Sequence, residues 1–450
     1  FRSKSKKLFL SGSFQINCDS DSENKKSIAP ENYSSIFQDV NCFVELGLVA
    51  NAEQHFKHYG YRQGRDILAS LHDSPPDKAI VLCPSYGKRC GIGEHSRYIA
   101  FSLEQSGMKV EKVRTTTQLL GLDPDFLHNS VVIVNHGPGL FDGYNPQLSE
   151  GEPTIRLISN LRYAFEHFGA RPIVFMHSLL DRENPDFFAR QQMMMEMPIP
   201  KATTILEASR IFNIAHIEHG MQPLPSSFKQ KPPAENIDKP TIGFFGFYQY
   251  GGKNFDALFS AVQQIKGKLV GSVAALAQDV PQLRKMLEDR AIEENLGTGW
   301  VEDDELAERL SEADFHYLPQ YDYDHWNNSG TARFVMNFGR PVIVPPHIPF
   351  LDLRENAIFA DENDLPSMFA YLRTPAAYQE ACTRTIKYAE TKPMTIEMVK
   401  LAVDLPAVQV QSSLAQIRPH ELICLSELLQ CNAQNFEARI QEFFDVQSSI

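Results

Sequence analysis

Two glycines in a loop after a predicted strand are the first candidates for ligand chemistry. Gly91 and Gly93 follow an apolar run, and a helix is predicted to begin at about Glu94. Glycines let backbone N–H groups approach a ligand closely, and a helix N-terminus favours an anion. We therefore expect this loop to bind a phosphate-bearing ligand. The dinucleotide fingerprint GxGxxG is not met, because Ser96 occupies the place of its third glycine, and NAD binding is disfavoured.

A second loop of similar character lies at the start of another predicted helix. Ser329, Gly330 and Thr331 offer hydroxyl groups and exposed backbone amides, which suit a diphosphate held by the helix dipole. The simpler interpretation of Ser329 is an ordinary helix N-cap. Both interpretations stay open on the sequence alone.

Three histidines stand directly after predicted strands. His136, His177 and His219 would point into the ligand cleft of a parallel α/β fold, where imidazoles can bind hydroxyl groups or phosphate. His136 and His177 are therefore the candidate catalytic residues. The alternative for both is a hydrogen-bonded structural histidine, and His219 is interpreted as a structural turn residue or a marker of the linker.

The elements that must position these residues alternate between apolar strands and amphipathic helices, in two series. Such alternation predicts doubly wound α/β domains. The Pro- and Lys-rich stretch between about Pro223 and Pro240 is the predicted linker between two Rossmann-like lobes with a cleft between them. The second series is predicted as strands 241–245, 268–273, 315–318 and 341–344 with helices 255–265, 281–294 and 331–338.

Motifs in the first series resemble those of a glycosyltransferase family. The stretch "GIGEHSRYIAFSLEQSGMKV" is similar to the first loop of retaining GT-B glycosyltransferases resembling family 4, usually "GGIGRYTxxLAxxLxxxGHxV". His136 in "VVIVNHGPGLF", His177 in "PIVFMHSLL" and His219 in "HIEHGM" match later strand-end motifs of that family, in the expected order.

The second series continues the resemblance, which covers roughly residues 78–400. "IGFFGFYQYGGKNFDALFSAV" places Lys253 at the family's phosphate-binding lysine, and "NNSGTARFVMNFGRPVIVP" resembles its nucleotide-sugar site. The resemblance implies a UDP- or GDP-type sugar donor, no resident cofactor and no metal. Lys253 would neutralise the departing nucleoside diphosphate; a solvated loop lysine is the alternative.

The sequence departs from the family where the donor ribose is usually bound. Aligning "GRPVI" with the family's "GTPVI" places Trp326 and Phe334 at the positions of the Glu-x7-Glu pair, and Phe247 stands where many relatives have a basic residue. Asp322 and Asp324 resemble the DxD metal motif of the different GT-A fold, which we interpret as coincidence. As a hypothesis, they line the sugar pocket in place of the missing glutamate.

The segments outside the two lobes carry weaker signals. Residues 1–30 are polar and expected to be disordered or loose, and residues 31–75 are predicted to form a small helical module. Its ending "HYGYRQGR" resembles modules attached to bacterial surface-polysaccharide glycosyltransferases, with Gln63 where an acid is usual. The lobes are predicted at 78–235 and 236–394, and helices at 395–450.

Composition limits the partners. The chain of 450 residues has a net charge of −13, which argues against nucleic acid because phosphate binding needs a basic face. The seven cysteines are scattered, without a CxxC pair, so a disulfide framework or zinc site is not expected. We expect a cytoplasmic protein, and the sequence leaves open a peripheral contact with the inner face of the membrane and homo-oligomerisation.

Two functions from different classes compete. The first is a glycosyltransferase that moves a sugar from a nucleotide-sugar donor to a glycan, lipid-linked or protein acceptor, with retention and without metal. The second is a catalytically degenerate subunit that binds a sugar nucleotide or glycan and stabilises a partner transferase. The missing glutamates motivate the second. Release of nucleoside diphosphate by the purified chain alone separates the two.

Overall fold

A computed structural model describes the chain from residue 76 to 392, together with Met394 and Met398. The predictions for residues 1–30, 31–75 and most of 395–450 lie outside the described residues, as do Asp322 and Asp324. The described range has gaps at residues 89, 138–139, 142–149, 180–190, 192–193, 196–200, 207, 210–213, 222–223, 226–227, 229–238, 249–252 and 322–325.

The first lobe is built on a sheet of six parallel strands. Its central strands are mostly apolar and are buried on both faces, as expected when helices cover both sides of a parallel sheet. The spatial order is β2-β1-β3-β4-β6-β7. The strands are β1 (Lys78–Leu82), β2 (Lys109–Val113), β3 (Ser130–His136), β4 (Arg171–Met176), β6 (Lys201–Thr203) and β7 (Ala215–His216), with the short β5 (Ser178–Leu179) outside this sheet.

Helices connect these strands. The helix after β1 begins at Gly91, three residues before the predicted start at Glu94, because the backbone of the glycine pair itself forms the first turn. Its buried face includes Tyr98, Ile99 and Leu103, which pack on the sheet. The described helices of this lobe are α1 (Gly91–Gln105), α2 (Thr116–Leu120), α3 (Pro124–Leu127) and α4 (Thr154–Phe168).

The second lobe repeats the design with its own six parallel strands, in the order β10-β9-β8-β11-β13-β14. A separate apolar core surrounds this sheet. The strands are β8 (Thr241–Phe247), β9 (Lys268–Ala274), β10 (Glu293–Thr298), β11 (Phe315–Tyr317), β13 (Val342–Val344) and β14 (Ile358–Phe359), and β12 (Trp326–Asn327) lies outside the sheet.

One predicted helix of this lobe is too long. The predicted helix 281–294 ends at Asp289, and Glu293–Thr298 forms the edge strand β10 instead. The strand begins with Glu293, Glu294 and Asn295, none of which is β-branched or aromatic. An edge strand also needs little burial. The hydrophobic periodicity of this segment therefore favoured a helix. The helices are α5 (Phe255–Gln264), α6 (Val280–Asp289), α7 (Asp303–Leu310), α8 (Gly330–Met336), α9 (Leu365–Leu372) and α10 (Pro375–Thr391), with 3-10 turns at Ile348–Leu353 and Glu362–Asp364.

The two lobes are joined by contacts as well as by the chain. β5 of the first lobe pairs antiparallel with β12 of the second. After α10 the chain returns to the first lobe, where Met394 and Met398 are buried against its sheet. The backbone N–H of Met221 donates to the carbonyl of Lys392 at 2.7 Å, which fixes this return.

Candidate functional site

Each sheet has a point where the strand order reverses, and ligands of doubly wound folds bind beside it, at the carboxyl ends of the strands. In the first lobe β1 lies between β2 and β3, so the reversal falls between β1 and β3. In the second lobe it falls between β8 and β11. The predicted site residues can be placed relative to these two crevices.

Lys253 follows β8 and reaches across the crevice of the second lobe. Its Nζ donates to Oε1 of Gln320 at 3.0 Å, and Gln320 follows β11 on the other side of the reversal. Loss of solvation lowers the pKa of the Lys253 amine to about 8. The amine is therefore charged at neutral pH and sits where an anionic ligand would stabilise that charge. Lys253 is not the solvated loop lysine of the alternative interpretation.

The Asn254 side chain fixes the backbone next to this amine. Asn254 is buried, and its Oδ1 accepts a hydrogen bond from the N–H of Ala257, which caps α5. Its Nδ2 donates to Glu362 in the 3-10 turn after β14. Lys253 is therefore attached to an anchored helix start, although it sits in a loop.

Ser329 is the N-cap of α8, in the connection that follows β11. Its Oγ accepts a hydrogen bond from the N–H of Ala332 at 3.2 Å, so capping is the contact of this hydroxyl in the structure. Gly330 and Thr331 form the first turn and are half-buried. The structure places these residues after the strand that borders the crevice; their binding of a diphosphate stays a prediction.

The two glycines of the first loop differ in their surroundings. A Cβ atom at Gly93 would overlap the carbonyl oxygen of Ser85 and lie 3.1 Å from that of Lys88. Gly93 is therefore required for close packing of α1 against the loop. A Cβ atom at Gly91 would meet no atom within 4 Å, and Gly91 is exposed. Of the pair, Gly91 has the free space that a ligand needs.

His136 and His177 lie at neighbouring strand ends of the first lobe. The N–H of His177 donates to the carbonyl of His136 at 2.9 Å, which holds the two backbones together. His136 is buried and stacks on Phe141 at a centroid distance of 5.7 Å. His177 is half-buried, and its Nδ1 lies 3.3 Å from the Oγ of Ser178. His177 is thus the more accessible of the two candidates.

A histidine that sequence reasoning missed joins this group. His95 on α1 is buried, and its ring centroid lies 5.2 Å from that of His177 and 5.3 Å from that of His219. Burial lowers the pKa values of His95 and His219 well below the usual range, so both imidazoles are neutral. The signal was helical spacing, which puts His95 on the same buried face as Tyr98 and Ile99.

Asn135 anchors His95 from the adjoining strand. Its Nδ2 lies 3.2 Å from the Nδ1 of His95 and donates to the Oγ of Ser96 at 2.8 Å. With Nδ1 as the acceptor, His95 carries its proton on Nε2. Position 135 precedes His136 on β3, so the alternation of side chains sends the two residues to opposite faces.

The second lobe faces this group with a buried cation. Arg333 on α8 forms an ion pair with Asp352, and its Nη1 donates to the carbonyl of Ser329 at 3.0 Å. The charge of Arg333 is a further cause of the lowered pKa of His219. The exposed fraction of the Arg333 side chain is 0%, so its charge acts at low dielectric. Family resemblance gave no reason to expect a charged residue here.

The positions where the family keeps its glutamates have other roles in this chain. Phe334 is buried in the second core, with ring centroids 5.2 Å from Phe245 and 5.8 Å from Phe338. Trp326 is part of β12. At the position of the missing basic residue, Phe247 packs beside Trp300 at a centroid distance of 6.1 Å. The residue at 334 is therefore a core residue.

The described ranges contain neither a candidate metal site nor a helix that could span a membrane. Within them, His, Cys, Asp and Glu side chains form no group of three that could hold a metal ion. In the same part of the chain, every helix is too short or too polar to span a bilayer.

Comparisons with known proteins show a similarity of fold. No family model and no curated protein sequence matches the chain. Among solved structures, the chain is similar to Anabaena HepE in complex with UDP and glucose, with a TM-score of 0.51 and 12% identity over 73% of this chain and 100% of HepE. The architecture, with two six-stranded parallel α/β lobes, is the GT-B fold.

Two further structures are similar at lower scores. An alpha-glucosyltransferase in complex with UDP and DNA gives a TM-score of 0.48 and 12% identity, over 73% of this chain and 99% of that one. A variant of TarM from S. aureus, in complex with UDP among other ligands, gives a TM-score of 0.43 and 13% identity over 62% of this chain. The chain spans 55% of the length of TarM.

Proposed function

We propose that the protein is a glycosyltransferase that takes a sugar from a nucleotide-sugar donor of the UDP or GDP type. The observation that carries the proposal is the partly buried Lys253 amine, bound to Gln320 across the reversal point of the second sheet. A cation at that place fits the phosphates of a nucleotide sugar. HepE, with the same fold, was solved with UDP and glucose and with UDP-glucose.

The proposed reaction exchanges one C–O bond for another. The bond between the anomeric carbon and the donor phosphate oxygen breaks, and the acceptor hydroxyl oxygen forms a bond to that carbon. With retention, the acceptor proton passes to an oxygen of the departing phosphate, so the protein needs no nucleophile of its own. Lys253 stabilises the developing negative charge, and no metal ion takes part.

The first lobe would hold the acceptor. His177 is half-buried at the end of β4 and can hydrogen-bond a hydroxyl group, while the neutral His95 packs against it. The acceptor class is a glycan, a lipid-linked sugar or a protein. Catalytic roles for His136 and His177, and binding roles for Gly91 and Gly93, belong to this proposal.

The donor ribose must be bound without the family's glutamate, since Phe334 is in the core. We propose that Asp322 and Asp324, which stand between Gln320 and Trp326 in the sequence, line the sugar pocket in place of the family's other glutamate. Replacing each aspartate with alanine should reduce donor turnover. Unchanged turnover in both variants would remove the two residues from the site.

Nucleotide binding and turnover by the purified chain test the proposal. The melting temperature is measured with UDP, GDP, CMP and dTDP sugars, and release of the nucleotide product is measured with each. We expect one donor to raise the melting temperature and to release nucleoside diphosphate. A shift without release would favour the degenerate binding subunit. No shift with any donor would contradict both functions.

A further inference from the structure

A short backbone pairing joins the two lobes beside the proposed site. β5, which begins directly after His177, pairs antiparallel with β12 in the register Trp326 to Leu179 and Asn327 to Ser178. β12 ends two residues before Ser329. The segment that carries a candidate catalytic histidine and the segment that carries the predicted donor-binding residues are therefore hydrogen-bonded neighbours.

The Asn328 side chain adds a second connection between the lobes. Asn328 is buried, and its Nδ2 donates to the backbone carbonyl of Thr204, which follows β6 in the first lobe, at 2.7 Å. A buried amide donor that lost this acceptor would keep its desolvation penalty without compensation. The contact is therefore specific to the arrangement in which the two lobes meet.

The same segment is fixed on its other side by the second lobe. The N–H of Ser329 donates to the carbonyl of Pro349 at 3.1 Å, and the Ser329 hydroxyl caps α8. The carbonyl of Ser329 accepts from the buried Arg333. Residues 326–329 thus connect the two lobes, with β12 and Asn328 held by the first and Ser329 held by the second.

We infer that Asn328 is a positioning residue for the proposed transfer reaction. It holds the start of α8, which carries the predicted donor-binding residues, against the first lobe, so that donor and acceptor meet in a fixed geometry. The inference rests on the proposed function. A small displacement of reacting groups lowers the rate of the chemical step more than it lowers affinity.

The rate of disulfide formation between β5 and β12 measures how closely the two lobes are held together, and it needs no substrate. Directly opposed residues of an antiparallel pair have Cα atoms about 4.5–5.5 Å apart, within the range for a disulfide. The double variant Ser178→Cys with Asn327→Cys should therefore cross-link under mild oxidation, which is seen by mobility on a non-reducing gel. Adding Asn328→Ala should slow the cross-linking about tenfold, because the lobes separate more often.

Asn337→Ala is the matched control. Asn337 ends the same helix and also donates its amide to backbone carbonyls, but these belong to Arg333 and Phe334 of its own lobe. This variant loses amide hydrogen bonds whose acceptors lie in its own helix. In the double-cysteine chain it should cross-link at the rate of its parent.

Kinetics on chains without the added cysteines test the role in the reaction. Asn328→Ala should lower kcat by about tenfold to a hundredfold with a donor KM changed by less than about threefold. Asn328→Gln, which keeps an amide donor, should recover part of the rate, and Asn337→Ala should keep it. If Asn328→Ala unfolds, Asn328→Leu, which is uncharged and closer in volume, replaces it, since an aliphatic side chain cannot donate to Thr204.

The outcomes separate this inference from the proposed function. If the unmodified chain turns over a donor but the Asn328 and Asn337 variants do not differ in kcat, the positioning role is wrong. Equal cross-linking rates in these two variants would also overturn it. If the unmodified chain turns over no donor, the proposed function fails first, whatever the cross-linking shows.

Discussion

The crevices of the two sheets differ in charge. At the second sheet, the Lys253 amine lies across the reversal point with a pKa of about 8. At the first, His95 and His219 lie near the strand ends with pKa values far below the usual range, and they stay uncharged. A cationic amine suits phosphate, while neutral imidazoles suit hydroxyl groups. The difference is consistent with a donor side and an acceptor side.

The largest expected effect concerns the cationic side. Lys253→Met removes the amine while keeping the length of the side chain. We expect kcat/KM for the nucleotide sugar to fall by about 10²- to 10³-fold, the usual loss when one charge-stabilising group is removed from a transition state. Lys285→Met, on the exposed face of α6 in the same lobe, is the control and should leave the rate unchanged.

The pH dependence of donor binding sharpens the same point. The Lys253 amine is charged below its pKa of about 8 and loses its proton above it, so donor affinity should fall as the pH rises through 8. Calorimetry near pH 8 should detect proton uptake on binding. An affinity that is level from pH 7 to pH 9.5 would contradict an electrostatic role for this amine.

Variants at Gly91 and Gly93 test which of the two glycines is needed for packing in the first lobe. Gly93→Ala places a Cβ against the carbonyl of Ser85 and should lower the free energy of unfolding by about 1–3 kcal/mol, as overpacking does. Gly91→Ala has free space and should change the unfolding free energy by less than about 0.5 kcal/mol. Chemical denaturation of the two variants checks this. Equal losses would mean that Gly91 is also a packing residue.

The neutral histidines make the fold sensitive to acid. The folded-state pKa values of His95, His219 and His316 are lowered, that of His316 to about 3, so the unfolded chain binds protons at a higher pH than the folded chain. The stability is complete above about pH 6.5 and falls as the pH drops below it, by about 1.4 kcal/mol per pH unit for each such histidine. Denaturation between pH 7 and pH 5 measures this slope.

A small effect is expected at His316, a buried histidine within β11. It packs against Gly243 and Phe338, and neither ring nitrogen has a hydrogen-bond partner among the described residues. His316→Leu should change the stability at pH 7 by less than about 1 kcal/mol, or raise it. It should also reduce the loss of stability below pH 6.5 by the contribution of one histidine, about 1.4 kcal/mol per pH unit.

The sequence predicted the scaffold better than the site. Continuous apolar runs such as Val131–Val134 and Ile173–Met176 favour central strands of a covered sheet, and these two runs form most of β3 and β4. The edge strand β10 was missed because Glu293 and Glu294 need little burial there. Hydrophobic periodicity predicts secondary structure well where an element is completely buried and poorly at the edge of a sheet.

Contacts between residues that are far apart in the sequence could not be predicted from it. His95, Arg333 and Asn328 each meet residues of another element, and neither spacing nor family resemblance indicates such partners. Lys253 was found because a motif marks it, whereas its hydrogen bond to Gln320 depends on two strands meeting in the sheet. The sequence could predict which residues matter, whereas the residues that they contact could be identified only in the folded structure.

The return of the chain after α10 has a consequence for how the molecule melts. Met394 and Met398 complete the core of the first lobe, although the helix that precedes them packs on the second. Unfolding of either lobe would therefore remove contacts that stabilise the other lobe. We therefore expect a single calorimetric transition, with a van't Hoff enthalpy equal to the measured enthalpy. Two separate transitions would mean that the lobes lose their structure independently.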